Sequence, residues 1–267
     1  MVASTVKLDA WLRHKAGLER ILNTSGIQDL NEAVELNKDS QEIISSFGER
    51  DFVAMVGFID MRGFSTAARG KTPTQVREIV APFISVVVEV ATRHDCFIDK
   101  SIGDEVMVVM PWFERDTVLS DVRMPNRQIP EIDLICMFSD LIEDLTKLLP
   151  DVRFSAGFTF GHLVLDRVGG DDYGEWTVYG NCVNAAKRLQ SRQPREHWDG
   201  KHIIAVGALE SERPDYGKEL HTWVQVIEPA GGGPLKLISP IIGKEEFKGV
   251  GSVAFIQAAI ERNPGCK

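Results

Sequence analysis

Apolar residues recur at helical spacing over residues 8–22 and again over 27–47, and the intervening Asn23-Thr24-Ser25-Gly26 break predicts two N-terminal helices. The run Phe52-Val53-Ala54-Met55-Val56-Gly57-Phe58-Ile59 is too continuous for a strand with one wet face, and so predicts a buried central strand ending at Asp60. A turn through Arg62-Gly63-Phe64-Ser65-Thr66 follows. Residues 74–94 then carry a long amphipathic helical pattern, opened by Thr72-Pro73-Thr74, which supplies a cap and a first-turn proline. Two short strands over 96–100 and 105–110 flank Ser101-Ile102-Gly103-Asp104, which has hairpin length and a glycine where the chain must turn.

Prolines and mixed charge make 111–130 an irregular connection before a helix expected over 132–149. Residues 152–160 alternate as a strand. Gly161 is expected to turn the chain and 162–168 to return, leaving Gly169-Gly170-Asp171-Asp172-Tyr173-Gly174 as an acidic tip. A helix over 181–192 places Asn184 and Arg188 four residues apart on one face. Strands are expected over 202–206, 220–227 and 253–257, separated by Gly231-Gly232-Gly233-Pro234, with no internal repeat or low-complexity tract.

Composition narrows the class. The chain has 267 residues, 43% hydrophobic and 26% charged, as expected of a globular protein able to bury a full core. A formal net charge of -9 argues against a general nucleic-acid binder, which needs a basic face. The longest apolar run, 79–88, is about half of a bilayer span, and the N-terminus lacks the core of a secretory signal, so no membrane segment is expected. Cys96, Cys136, Cys182 and Cys266 form no CxxC pair, hence no zinc or disulfide framework is written into their spacing. A reducing, cytoplasmic setting is the expectation.

The chemistry concentrates at Asp60 and Asp104. Each joins a buried strand and follows apolar residues that would not tolerate an unpaired carboxylate. Two carboxylates at adjacent strand ends suit a pair of Mg²⁺ or Mn²⁺ ions, and such ions bring nucleotide phosphates with them.

Three ordered stretches extend this: FIDMRGFST over 58–66, DKSIGDEVMVV over 99–109 and TVYGNCVNAAKRL over 177–189. Together they closely resemble the catalytic domain of the class III nucleotidyl cyclases, the adenylyl and guanylyl cyclase family, over residues 50–258. The resemblance implies an α/β, ferredoxin-like catalytic domain over 50–267 with a helical extension over 1–49, working as a homodimer with active sites at the dimer interface. It matches Asp60 and Asp104 to the metal-binding aspartates, with the main-chain carbonyl of Ile59 near a metal. Asn184 would orient the ribose, and Arg188 would stabilise charge on the transferred phosphoryl group. Lys100 and Thr177 match the base-recognising positions, and Lys248 a polyphosphate-binding lysine. These last five residues would come from the partner protomer. Two divalent cations, Mn²⁺ or Mg²⁺, are the implied cofactors.

The base stays open among UTP, CTP and ATP. Guanine-specific relatives usually carry an acidic residue at the Lys100 position, which disfavours GTP. An ammonium at Lys100 can donate to adenine N1 while Thr177 accepts from the amino group, or meet uracil O4 while Thr177 accepts from N3–H. Compact stand-alone members resemble the pyrimidine cyclases of bacterial phage defence, whose cyclic UMP or cyclic CMP is read by a separately encoded effector. Phe58, Trp176 and Tyr179 would narrow the pocket toward a smaller base, and pyrimidine is the reading favoured here. The acidic Asp171-Asp172 stands where many relatives carry a basic phosphate contact, which argues against a triphosphate contact at that loop. Two rivals remain: a diguanylate cyclase, whose glycine is replaced by Ile102 and whose aromatic by Val106, and a catalytically silent cyclase-homology module.

Overall fold

The computed structural model describes residues 51–94, 96–111, 130–169, 174–220 and 234–263. In chain order the elements are β1 (Asp51–Met61), α1 (Phe64–Ala67), α2 (Pro73–Arg93), β2 (Phe97–Ile102), β3 (Glu105–Pro111), α3 (Pro130–Leu148), β4 (Phe154–Gly169), β5 (Gly174–Tyr179), α4 (Asn181–Gln190), β6 (His202–Leu209), β7 (Leu235–Phe247) and β8 (Gly251–Arg262). One eight-stranded sheet runs β2-β3-β1-β4-β6-β8-β7, with β5 paired to β4. The expected α/β, ferredoxin-like class is therefore met, through the order β1-α2-β2-β3-α3-β4. The expected N-terminal helices and most of the 111–130 connection lie outside the described residues. Among those described, no helix is long and apolar enough to cross a membrane.

Strand alternation assigns the two faces of the sheet. Met55, Ile59 and Met61 of β1, with Val106, Val108 and Met110 of β3, form one core cluster with Phe83, Val86, Val87 and Val90 of α2 and Leu134, Met137, Phe138, Leu141 and Leu145 of α3. Phe138 stacks on Phe154 at 5.7 Å and meets Phe158 edge-on at 5.6 Å. Gly57 leaves room for that second ring, since a Cβ there would lie 2.3 Å from it. The intervening residues of β1, Phe58 and Asp60, therefore face the other side, where α4 packs on β4.

Helix α2 starts where its sequence signals place it. Thr72 and Gln75 form a reciprocal capping box, Gln75 N–H to Thr72 Oγ1 at 3.4 Å and Thr72 N–H to Gln75 Oε1 at 3.0 Å, with Pro73 in the first turn.

Two expectations need correction. Gly161 does not turn the chain: β4 continues unbroken from Phe154 to Gly169, pairing in parallel with β6 over 155–160 and antiparallel with β5 over 164–169. The glycine serves close approach instead, because a Cβ there would lie 2.4 Å from Glu212 Oε2 and 2.8 Å from Cys182 Cβ. Strand β7 falls where none was expected. It lies at the end of the sheet order, carries Lys244, Glu245 and Glu246, and is bulged between Ile238 and Ile241, where Ser239 has a φ of 48°. A strand paired on one side among the described residues can carry such charges and a bulge-side proline, Pro240, which is why its pattern does not read as a strand. Leu220 is helical within 216–220, and the rest of the strand expected over 220–227 lies outside the described residues.

Candidate active site

The C-terminal end of β1 is tied to the β2–β3 hairpin. Asp60 stands opposite Glu105 in the ladder, and Ile102 opposite Glu105 closes a two-residue turn of Gly103 and Asp104. That turn requires Gly103 at φ 63°, a left-handed conformation that side chains resist. Met61 N–H donates to the Asp104 carbonyl at 3.3 Å, fastening the turn to the strand end. The two aspartates singled out in the sequence are thus brought together, and Glu105 joins them as a third acid that sequence reasoning missed. Burial, then the charges of Asp104 and Glu105, push the Asp60 carboxyl up to about 7, while Lys187 pulls it the other way. Close carboxylates raise one another's proton affinity because each ionisation opposes the next.

Helix α4 presses on this cluster. A Cβ on Gly157 of β4 would lie 2.1 Å from the Gln190 nitrogen and 2.5 Å from the Ala186 carbonyl, so only glycine lets the helix backbone seat there. From that seat Gln190 Nε2 donates to Asp60 Oδ2 and to Ser155 Oγ, both at 3.1 Å. Lys187 donates through Nζ to Glu105 Oε2 and, at 3.1 Å, to Gln190 Oε1, and its ammonium lies 5.4 Å from the centre of the Phe58 ring. Asn184 and Arg188 are exposed on the same helix. Neither Lys187 nor Gln190 was a sequence candidate. Lys187 follows Asn184 by three residues and Gln190 follows Lys187 by three, and that spacing was the available signal.

The base-reading candidates meet in a second group. Thr177 of β5 donates its hydroxyl to Asp99 Oδ2 at 2.8 Å, and Lys100 Nζ lies 3.4 Å from the same oxygen. Asp99, buried between them, was not anticipated. Met107 of β3 faces Phe58 on one side and Lys100 on the other, so these two candidates share one row across the sheet. The side chain of Ile59 is buried in the core, and its backbone immediately precedes Asp60. Lys248 is exposed in the β7–β8 turn.

Hard oxygen donors are what Mg²⁺ and Mn²⁺ take, and the mutual repulsion of Asp60, Asp104 and Glu105 is what a cation would relieve. Among the described residues no group of three or more His, Cys, Asp or Glu is gathered closely enough to hold an ion unaided. Asp60, Asp104 and the Ile59 carbonyl fit such an ion only with further oxygens, such as those of a phosphate.

A sheet of this order, with carboxylates at the β1 end and helix α4 over them, defines an α/β, ferredoxin-like domain with an acidic site. The family model of the adenylate and guanylate cyclase catalytic domain matches residues 48–196, more than half of the chain, and the chain belongs to that family. It is 29% identical over 143 residues to an uncharacterised protein, Rv1318c, of Mycobacterium tuberculosis, covering 53% of this chain and 24% of that protein. The chain thus spans about a quarter of the length of this curated relative. Among solved structures it is similar in fold to the adenylyl cyclase CyaB from P. aeruginosa, with a TM-score of 0.56 at 16% identity over 82% of this chain and 100% of that one. The guanylate cyclase domain of RhGC from Catenaria anguillulae, in complex with GTP, gives 0.52 at 16% identity over 80% and 100%.

Proposed function

We propose that this chain converts a nucleoside triphosphate to its 3′,5′-cyclic nucleotide and pyrophosphate, as a cytoplasmic homodimer with composite sites. The observation that carries the reading is the carboxylate cluster of Asp60, Asp104 and Glu105 under a helix whose Asn184 and Arg188 are exposed. Asp60, Asp104 and the Ile59 carbonyl would hold two divalent cations, Mn²⁺ or Mg²⁺. Such ions acidify a ribose 3′-hydroxyl and neutralise a leaving pyrophosphate. Asn184 orients the ribose. Arg188 lies against the transferring phosphoryl group, where a guanidinium contributes through charge already in place. Lys248 takes the polyphosphate, and Lys100 and Thr177 take the base.

The base in this proposal is a pyrimidine. Phe58 occupies the cross-sheet row of Lys100, and Tyr179, two residues on from Thr177 and so on the same side of β5, is 44% exposed; aromatics there narrow the space toward a small ring. ATP is the second reading, favoured by Lys100 as donor and Thr177 as acceptor. The product would act as an antiphage messenger read by a separate cyclic-nucleotide-binding effector, and residues 1–49 would form a helical extension to the catalytic domain.

Incubating the purified chain with Mn²⁺ and each of the four triphosphates tests this. Cyclic UMP or cyclic CMP as the main product supports it, and cyclic AMP selects the second reading. A linear dinucleotide product, or no product with any triphosphate, overturns it.

A further inference from the structure

We infer that Asp99 sets the polarity with which the base is read, by holding the single hydroxyl hydrogen of Thr177; this rests on the base-reading role proposed above for Lys100 and Thr177. Asp99 has no exposed side-chain surface, whereas the Lys100 side chain is 28% exposed, so Asp99 acts through its neighbours rather than on a ligand. It is a positioning residue.

Its placement comes from an irregularity in the sheet. Ile98 faces Val108 and Lys100 faces Met107, which leaves Asp99 as the extra residue of a bulge. In a regular strand residues 99 and 100 would point to opposite faces. The bulge instead lets one carboxylate oxygen take the Thr177 hydroxyl at 2.8 Å while lying 3.4 Å from the Lys100 ammonium.

A threonine hydroxyl has one hydrogen and two lone pairs, and an ammonium has hydrogens only. With its hydrogen on Asp99, Thr177 can only accept from a third molecule, and Lys100 can only donate to it. A hydroxyl free to rotate would accept or donate, and would leave the discrimination to Lys100 alone. The fixed pair requires an acceptor beside a donor in a set order. Adenine and cytosine present a ring-nitrogen acceptor and then an amino donor. Guanine and uracil present a ring N–H donor and then a carbonyl acceptor. A site of fixed order takes one of these groups, so within one ring size it separates CTP from UTP, or ATP from GTP. A pyrimidine enzyme built this way uses one pyrimidine, not both.

The test compares kcat/KM for the four triphosphates in the wild type, Asp99→Asn, Thr177→Val and the double variant. The expected wild-type ratio within the preferred ring size is at least about tenfold. In Asp99→Asn the amide can donate to Thr177 and release its hydrogen, and the ratio falls by about fivefold or more. Thr177→Val lowers the ratio too, and adding Asp99→Asn to it changes the ratio no further. A purely structural Asp99 would slow all four substrates alike, so a ratio in Asp99→Asn unchanged within about twofold, or an additive effect in the double variant, overturns the inference. If Asp99→Asn does not fold, Thr177→Ser must keep the ratio and Thr177→Val lose it; the opposite result overturns the inference. If the wild type cyclises nothing, the cyclase reading fails separately, and calorimetric dissociation constants for the four nucleotides decide the inference by the same ratios.

Discussion

Replacing Gly157 with alanine tests how far the site depends on the seating of helix α4. The new methyl would stand 2.1 Å from the Gln190 nitrogen, 2.5 Å from the Ala186 carbonyl oxygen and 2.6 Å from the Gln190 Cα. Non-bonded heavy atoms settle near about 3.5 Å, so more than about 1 Å must open, and backbone atoms cannot rotate aside as a flexible side chain could. The helix has to lift or tilt. Overpacking of this kind costs about 1–3 kcal/mol, which for a domain of this size lowers Tm by about 3–10 °C. Activity should suffer more, because Asn184 and Arg188 ride on the same helix and Gln190 would leave Asp60. A displacement of about 1 Å at reacting groups costs about 100-fold in rate. Thermal unfolding and initial rates of cyclisation check the two effects. Gly217→Ala is the control: its methyl would make only an ordinary 3.6 Å contact with Ala254 Cβ, so a stability change within about 0.5 kcal/mol is expected. Wild-type rate and melting temperature in Gly157→Ala would refute the reasoning.

Asp104→Ala should abolish turnover without lowering the metal-free melting temperature, since it removes one of three mutually repelling carboxylates rather than core packing; retained cyclisation removes Asp104 from the mechanism. Arg188→Ala should lose about 1,000-fold in kcat with little change in melting temperature, measured by single-turnover product formation. An Asp60→Ala chain mixed with an Arg188→Ala chain should regain part of the wild-type rate, and failure with heterodimers shown to form counts against composite sites. Burial, with Arg153 and Arg62 nearby, pushes the His202 imidazole down to about 3, so the folded chain keeps it neutral where an unfolded histidine, near 6.5, takes a proton. Between those values the unfolded state binds more protons, hence stability should fall as pH drops, by up to about 1.4 kcal/mol per unit. Urea unfolding at several pH values checks this, and His202→Gln should flatten the slope.

The parts of the site that were legible in the sequence are those governed by neighbouring residues. An apolar run ending at Asp60 gave β1, and glycine before Asp104 gave the hairpin tip, because a left-handed turn residue leaves a direct mark on composition. The cap at Thr72 was readable for the same reason. Gly161 was misread because close helix approach and a turn both select glycine, and only the third dimension separates them. β7 escaped because it carries exposed charges, as a strand with one neighbour among the described residues can. Asp99 could not be assigned to Thr177 at all, since regular alternation sends it away from Lys100 and the bulge that reverses this follows from pairing with β3.

The proposed sharing of the site between two chains fits the way helix α4 is seated. Lys187 and Gln190 are committed to Glu105 and Asp60 of their own chain. Successive residues of a helix are about 100° apart, which puts Arg188 and Gln190 about 160° apart around the axis. Turning Arg188 toward Asp60 would therefore carry Gln190 out of its hydrogen bonds to Asp60 and Ser155 and drag the helix off Gly157. Gly157 leaves no room for such a rotation, since backbone already fills the space beside it. In the proposed reaction the guanidinium that serves these carboxylates comes from a second copy, while the same helix of the first copy offers its own Arg188 outward. In the proposed reaction each α4 holds one carboxylate cluster in place and completes the other, so removing Gln190 should impair the site on its own chain and removing Arg188 the site on its partner.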